Sequence, residues 1–407
     1  MHAAVVATAE LRYTKTMRYW AHFNEIIRRR CNYGGSGVTA PKTAQLLSLF
    51  KDISNLYLFD LSPSSLHTVP FFNVRSDNMA SILISGAGGF IGQELAAVLA
   101  SDPNIGKIIL TDIKDPPVPR DAISKEKFKC ITIDLTSDMA RDQLMELVGE
   151  DLDTVYLLHG IMSGAAEANL ELGYAINLNA TIAILRQVRR NPATKVVFAS
   201  VGAAYGPPAS PDEVISETTA PNPQSSYGIQ KVMVESLIND FSRRGLLDGR
   251  ICRLPTIMPR AGAPTGAASS FASDIVRELL NGRRAVLPVS NKNLKMFVCS
   301  PCTIIKNLLH ARELPKEAFA PYLNRVVNMP GVAITVQDIL DVVVSVSPKG
   351  SEVLSLIEEQ RDEAIERIVA SWPSNFELSR AFSLGFVKDP GLGVAVREYY
   401  ERHIYVA

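Results

Sequence analysis

The sequence predicts an α/β fold: a doubly wound parallel sheet of the Rossmann type with a smaller C-terminal α/β substrate lobe. Three observations carry this. An apolar strand at Ser81 runs straight into a glycine-rich turn and then an amphipathic helix ending near Ala100. Further apolar strands follow at the spacing of βα units, near residues 107, 128, 154, 195 and 250. Polar residues cluster just past the ends of those strands, where a doubly wound sheet opens its ligand crevice. After Ile257 the strand-helix pattern loosens and becomes loop-rich, as expected where a second lobe begins.

The first unit is the most informative. Ile82, Leu83 and Ile84 form the strand, and Ile91, Leu95, Val98 and Leu99 mark one face of the helix. Between them lie Gly86, Gly89 and Gly92 in a G-x-x-G-x-x-G spacing, with Phe90 and Ile91 inside the motif. The three glycines suit a tight turn, the close approach of a pyrophosphate, and tight helix-strand packing. The free N–H groups and positive end of the helix then face an anion. This predicts a dinucleotide site at Gly86, Gly89, Phe90, Ile91 and Gly92.

The bulk numbers bound the alternatives. The chain has 407 residues, 47% of them hydrophobic and 21% charged, which suits a globular protein with a sizeable core. A formal net charge of zero argues against a nucleic-acid binder or a polybasic membrane reader. No run of 18 apolar residues is present, so no transmembrane helix is expected. Cys31, Cys130, Cys252, Cys299 and Cys302 lack zinc-site spacing and read as reduced thiols; no metal is expected.

Residues 1–78 read as an N-terminal extension. Its first 50 residues hold seven Lys and Arg but only Glu10 and Glu25 as acids. That bias fits a mitochondrial transit peptide. Two other readings stand beside it: a misassigned start, with Met79 as the true initiator, and a segment packed on the domain. The corresponding locations are the cytoplasm, or the mitochondrion if the transit reading holds.

Lys107 to Asp112 is the second strand, and Asp112 ends it about 20 residues past the glycines. A carboxylate there accepts hydrogen bonds from ribose hydroxyls and repels a 2′-phosphate, which favours NAD over NADP. Phe128 to Leu135 is the third strand; Asp134 and Leu135 could meet the adenine, or Asp134 could cap the helix Ser137 to Val148. Thr154 to Gly160 is the fourth strand, which places His159 near the cofactor and Ser163 near the substrate. A helix is expected over Glu167 to Arg190, with a buried Asn177 that serves as clamp or water relay.

Lys195 to Ser200 is the fifth strand, followed by a helix opening at Pro223. Tyr227 and Lys231 on that helix are four residues apart and share a face. A phenol titrates near 10, and a nearby ammonium favours its ionised form, bringing it within range as a base. This is the pairing that oxidation of an alcohol needs. A hydroxyl at the end of the fifth strand would hold the reacting oxygen.

Gly86 to Gly92, Asp112, Tyr227 and Lys231 resemble the extended short-chain dehydrogenase/reductase family (NAD-dependent epimerase/dehydratase-like) from about Met79 to Ala407. Several stretches are similar to its sugar-acid branch: His159 to Asn177, Pro223 to Lys231, Arg253 to Ile257, Ala268 to Ser273 and Arg367 to Phe386. The resemblance implies NAD-dependent oxidation at C2 of a four-carbon sugar acid to a 2-keto acid, in a homodimer. It implies Tyr227 and Lys231 as catalytic residues and a place beside the nicotinamide for Pro255. The family's hydroxyl position holds Val201 here, so either the strand end is shifted and Ser200, one residue earlier, takes that role, as we expect, or the hydroxyl is missing. A nucleotide-sugar epimerase or dehydratase and a non-catalytic NAD sensor remain as competing classes.

The remainder completes the expected layout: residues 79–258 bind NAD, and residues 259–407 form mainly the substrate lobe with some return to the first domain. Arg250 to Ile257 is the sixth strand. Phe271 to Leu280 is a helix, Arg284 to Pro288 a strand, and Glu352 to Val369 a charged helix. A sugar acid needs a cation and several polar groups. Arg260 and Lys295 are the expected cations, and Ser163, Ser269 and Ser270 the expected hydroxyl contacts.

Overall fold

Parallel pairing begins with β1 (Ala80–Ser85), which lies between β2 (Ile105–Asp112) and the later strand Leu152–Leu157. The computed structural model describes residues 79–149, 151–210 and 212–405, so the expected extension, residues 1–78, lies outside the described residues. Helix α1 (Phe90–Leu99) joins β1 to β2; β3 (Phe128–Thr132) and α2 (Asp138–Val148) follow. Next come β4 (Leu152–Leu157), the helical turns α3 (Ser163–Ala168) and α4 (Leu170–Gly173), a π-helical turn over Tyr174–Ala180, and α5 (Thr181–Val188). β5 (Lys195–Val201), α6 (Ser226–Arg243) and β6 (Asp248–Leu254) complete the first run.

The lobe elements are β7 (Thr256–Ile257), α7 (Ser270–Leu280), β8 (Ala285–Leu287) and β9 (Lys295–Cys299). Then α8 (Pro301–Glu313) and β10 (Val326–Asn328) return to the first sheet. The chain ends with β11 (Val332–Thr335), α9 (Val336–Val346), β12 (Ile357–Glu359), α10 (Glu363–Ala370), α11 (Ser379–Ser383) and α12 (Leu392–His403). The main sheet has the order β10-β6-β5-β4-β1-β2-β3, and all its pairs are parallel. From β1 the chain winds first toward β3 and then back through β4, so the topological switch falls between β1 and β4. A ligand crevice is expected at that point of the carboxyl edge.

Each sheet face buries an apolar layer. Leu95 and Leu99 of α1, with Ile304 and Leu308 of α8, cover one face. Leu144, Ile184, Leu185, Val234 and Ile238 from α2, α5 and α6 cover the other. A separate core centres on Phe271, Ile275, Val298, Ile339, Val343 and Val396, between α7, α9, α12 and two small sheets, β11-β9-β7 and β12-β8.

Four local expectations fail for identifiable reasons. The strand expected over Arg250 to Ile257 stops at Leu254, because Pro255 brings no N–H to a ladder; Thr256 and Ile257 instead pair with Val298 and Cys299. The third strand ends at Thr132, short of Asp134 and Leu135. The helix expected over Glu167 to Arg190 breaks at Asn169, whose side chain caps the next turn by accepting from Leu172 N. The charged segment Glu352 to Val369 is not one helix. Ile357 to Glu359 pair in parallel with β8, and Asp362 then caps α10 by accepting from Ala364 N and Ile365 N. Cys130, Cys252 and Cys299 are free thiols, whereas Cys302 is disulfide-bonded, against the reading of reduced cysteines.

Candidate active site

The glycine turn is shaped by its own backbone needs. Gly86 has φ +73°, and a Cβ there would lie 2.6 Å from His159 N. A Cβ at Gly92 would lie 2.7 Å from Ala87 Cα, so only glycine lets α1 sit against the turn. Gly89 precedes α1 without a side-chain cap, and the first turn of α1 carries no acid. Its first N–H groups therefore stay available to an anion. Asp112 is fixed beside them. Its Oδ2 accepts from Gly88 N at 2.9 Å and its Oδ1 from Ile113 N at 2.8 Å. Sequence reasoning passed over Gly88; four glycines within seven residues were the available signal.

Three expected cofactor residues stand elsewhere. His159 is buried, with Nδ1 bonded to Ser85 Oγ at 2.7 Å and Nε2 to Thr181 Oγ1 at 3.0 Å. Burial, with Lys231 adding to it, pushes the imidazole down to about 3, so it is neutral and its backbone packs on Gly86. Asp134 is exposed; its Oδ1 accepts from Thr136 N at 2.9 Å and Oγ1 at 2.8 Å, which holds it below the usual carboxylate range. This is a local turn of the capping kind. Leu135 is buried in the core with Leu144.

The expected reactive pair lies on α6. Ser225 caps the helix by accepting from Gly228 N at 3.2 Å. Tyr227, Lys231 and Glu235 then recur every fourth residue along one stripe. Lys231 Nζ donates to Ala199 O at 2.9 Å, and lies 5.5 Å from the Tyr227 ring centroid and 4.7 Å from that of Phe198. Burial pushes the Tyr227 phenol up to about 12 and the Lys231 amine down to about 8, against a smaller upward pull from Glu235. The expected lowering of the phenol by the ammonium is therefore outweighed by desolvation.

Ser200 does not hold a free hydroxyl toward the reaction. It borders the cavity, but its Oγ donates to buried Glu235 Oε1, and the residue is only 3% exposed. Glu235 also accepts from Arg253 Nε at 2.9 Å. Successive strand residues face opposite sides, so the residue facing the cavity without such a partner is Val201, which brings no hydroxyl. Asn177 resolves as a clamp: Oδ1 accepts from Ile161 N at 2.9 Å, and Nδ2 donates to Gln230 Oε1 at 2.8 Å.

One cavity of about 320 Å³ connects these parts. It reaches from Gly86, Gly89, Phe90, Ile91 and Gly92 to Tyr227, Lys231 and Pro255. Ser163, Ser269, Arg260 and Lys295 border it on the lobe side. Ser270 does not; its hydroxyl accepts from Thr265 N at 3.1 Å. Sequence reasoning missed an aromatic wall of Phe297, Trp372 and Phe376. Phe297 stacks on Phe376 at 4.4 Å, and Tyr205 meets Phe376 edge-on at 5.9 Å. Among the described residues, no group of His, Cys, Asp and Glu could hold a metal ion, and no helix is long and apolar enough to cross a membrane.

Known proteins share this layout. The model of the NAD dependent epimerase/dehydratase family matches residues 82–313. D-erythronate dehydrogenase of Haemophilus influenzae is 39% identical over 323 residues, which span 79% of this chain and 98% of that protein. D-erythronate dehydrogenase of Cupriavidus necator is 35% identical over 333 residues, with the same shares of 79% and 98%. Among solved structures, the nucleoside-diphosphate-sugar epimerase from Agrobacterium tumefaciens superposes with a TM-score of 0.71 at 30% identity, covering 83% of this chain and 98% of that one.

Proposed function

The chain belongs to the NAD dependent epimerase/dehydratase family, and from that premise we propose that it oxidises the C2 hydroxyl of a four-carbon sugar acid, D-erythronate or a close relative, to the 2-keto acid. It is a dehydrogenase acting on CH–OH donors, and NAD is its cofactor. The residues present fit that cofactor. Gly86, Gly89 and Gly92 leave a cradle that side chains would fill, the uncapped start of α1 suits a diphosphate, and Asp112 stands ready for ribose hydroxyls. When bound, NAD accepts the hydride that leaves C2.

The observation that carries the reading is that Tyr227 and Lys231 border the same cavity as the glycine turn. Tyr227 Oη receives the proton of the C2 hydroxyl as the C=O bond forms. A neutral phenol is no base, so Tyr227 must first lose its own proton. Lys231, tethered to Ala199 O, holds its amine where a positive charge favours that loss. Ser200 acts through Glu235 as part of the support for α6, leaving the oxygen to Tyr227 alone. The reading also places a substrate lobe from about residue 259, a homodimer, and a cytoplasmic location, which light scattering and cell fractionation would test.

The deciding assay supplies NAD with a panel of four- to six-carbon sugar acids and, separately, nucleotide-sugars. Formation of NADH together with a 2-keto acid from a four-carbon acid is the expected result. Turnover of nucleotide-sugars alone would move the assignment to an epimerase or dehydratase. NAD binding without turnover of any donor would leave a sensor.

A further inference from the structure

Resting on the sugar-acid reading, we propose that Arg260 is the anchor for the substrate's carboxylate, and that this single contact makes the enzyme select acids over neutral polyols of the same carbon skeleton. Arg260 borders the cavity shared by Tyr227 and Lys231. Its backbone N donates to Ser273 Oγ at 3.2 Å, which ties it to the first turns of α7. Its Nη2 is fully enclosed and has no hydrogen-bond partner among the described residues.

The nearby acid does not supply that partner. Asp274 is committed to Arg277, whose Nη2 donates to it at 2.7 Å. Arg277 in turn binds Glu278 at 2.6 Å. Arg260 is thus a half-buried cation with one enclosed, unbonded donor; Asp274 favours its charge across space, while its Oδ1 bonds Arg277 instead. A buried guanidinium left without an acceptor is costly, and a ligand carboxylate would remove that cost. The planar fork of Arg matches two carboxylate oxygens, and the apolar wall of Phe297, Trp372 and Val369 lowers the local dielectric, which strengthens the attraction.

Lys295 borders the same cavity, but it is exposed. A solvated ammonium has no unmet donor that a ligand must satisfy, so it is the weaker anchor. With C1 on Arg260, the neighbouring C2 hydroxyl is the one offered to Tyr227, which explains oxidation next to the carboxylate.

The test is calorimetric titration of the full-length protein loaded with NADH, so that no oxidation intervenes. The ligands are D-erythronate and L-threonate, their amides, and erythritol. At least one acid should bind about 30-fold or more tightly than its amide and than erythritol. Arg260→Gln should lower acid affinity about 30-fold or more, to the level of the amide, while changing the affinities for amide and NADH by no more than about twofold. Equal binding of acid and amide to the wild type, including no binding of either, overturns the proposal, as does a variant that weakens acid and amide alike. The acid-to-amide ratio needs no variant, so a poorly folding Arg260→Gln does not shield the idea; Arg260→Lys should restore part of the preference. Acid-selective binding lost in Arg260→Gln, without turnover of any acid, would retain the anchor and remove the oxidation reading.

Discussion

On the sheet side of the cavity, Lys231 donates to Ala199 O, and Glu235 is held by Ser200 and Arg253. On the lobe side, Phe297 stacks on Phe376, and Arg260 Nη2 meets no acceptor among the described residues. The first wall is a set of buried polar groups with assigned partners, which rigidifies the groups proposed to perform the chemistry. The second is apolar apart from a few polar groups, one of them the enclosed Nη2 donor of Arg260 that the proposed ligand carboxylate would meet. The contrast separates tasks: proton transfer needs a fixed geometry before substrate arrives, whereas selection needs a demand that only the right substrate meets.

Breaking the chemical wall should give the largest effect. Tyr227→Phe removes the proton acceptor, and kcat should fall by about 10³-fold or more, while NAD affinity, read by fluorescence quenching, stays within about twofold. An active variant would place the base elsewhere. The next effect is on stability. Glu235→Ala strands the Arg253 guanidinium in the core and should cost about 3–5 kcal/mol in denaturant unfolding. A cost below about 1 kcal/mol would mean that the sheet-side wall is not the closed network described.

The pH profile sharpens the same point. Tyr227 sits at about 12, above its ordinary value because of burial, and oxidation consumes its ionised form. The kcat/KM for oxidation should therefore climb toward pH 8, by up to about tenfold per unit, and level off above it, where Lys231, pushed down to about 8, loses the charge that favours the phenolate; reduction of the keto acid, which uses the protonated phenol, should stay level up to pH 8. An oxidation rate that does not change between pH 6 and 8 would remove Tyr227 from the role of base. The smallest effect is expected at the seam between the walls. Val201→Ser restores a hydroxyl facing the cavity and should raise kcat by about tenfold, the worth of one hydrogen bond to the reacting oxygen. No gain there would show that Tyr227 holds the oxygen unaided.

Much of this was legible along the chain. Gly86 and Gly92 announce themselves because only glycine tolerates the turn and the close helix, and Tyr227 and Lys231 because a four-residue step keeps them on one face. Trp372, Phe297 and Phe376 were not legible. They come from two segments some 75 residues apart, and only tertiary folding brings them to one wall. The segment Glu352 to Val369 misled for a related reason: its apolar spacing suits a helix, but pairing with β8 outweighs local propensity.

What the order of residues determined by itself was periodic and local: the strand-turn-helix units, their parallel arrangement, the anion-ready turn and the Tyr227–Lys231 stripe. What only the tertiary structure decided was the allocation of partners. Ser200 is joined to Glu235 across 35 residues, Asn177 to Gln230 across 53, and Arg260 Nη2 has no acceptor among the described residues while Asp274 Oδ1 bonds Arg277. Whether a polar group is spent or free depends on which distant groups reach it first in space, and no spacing along one strand or helix carries that information.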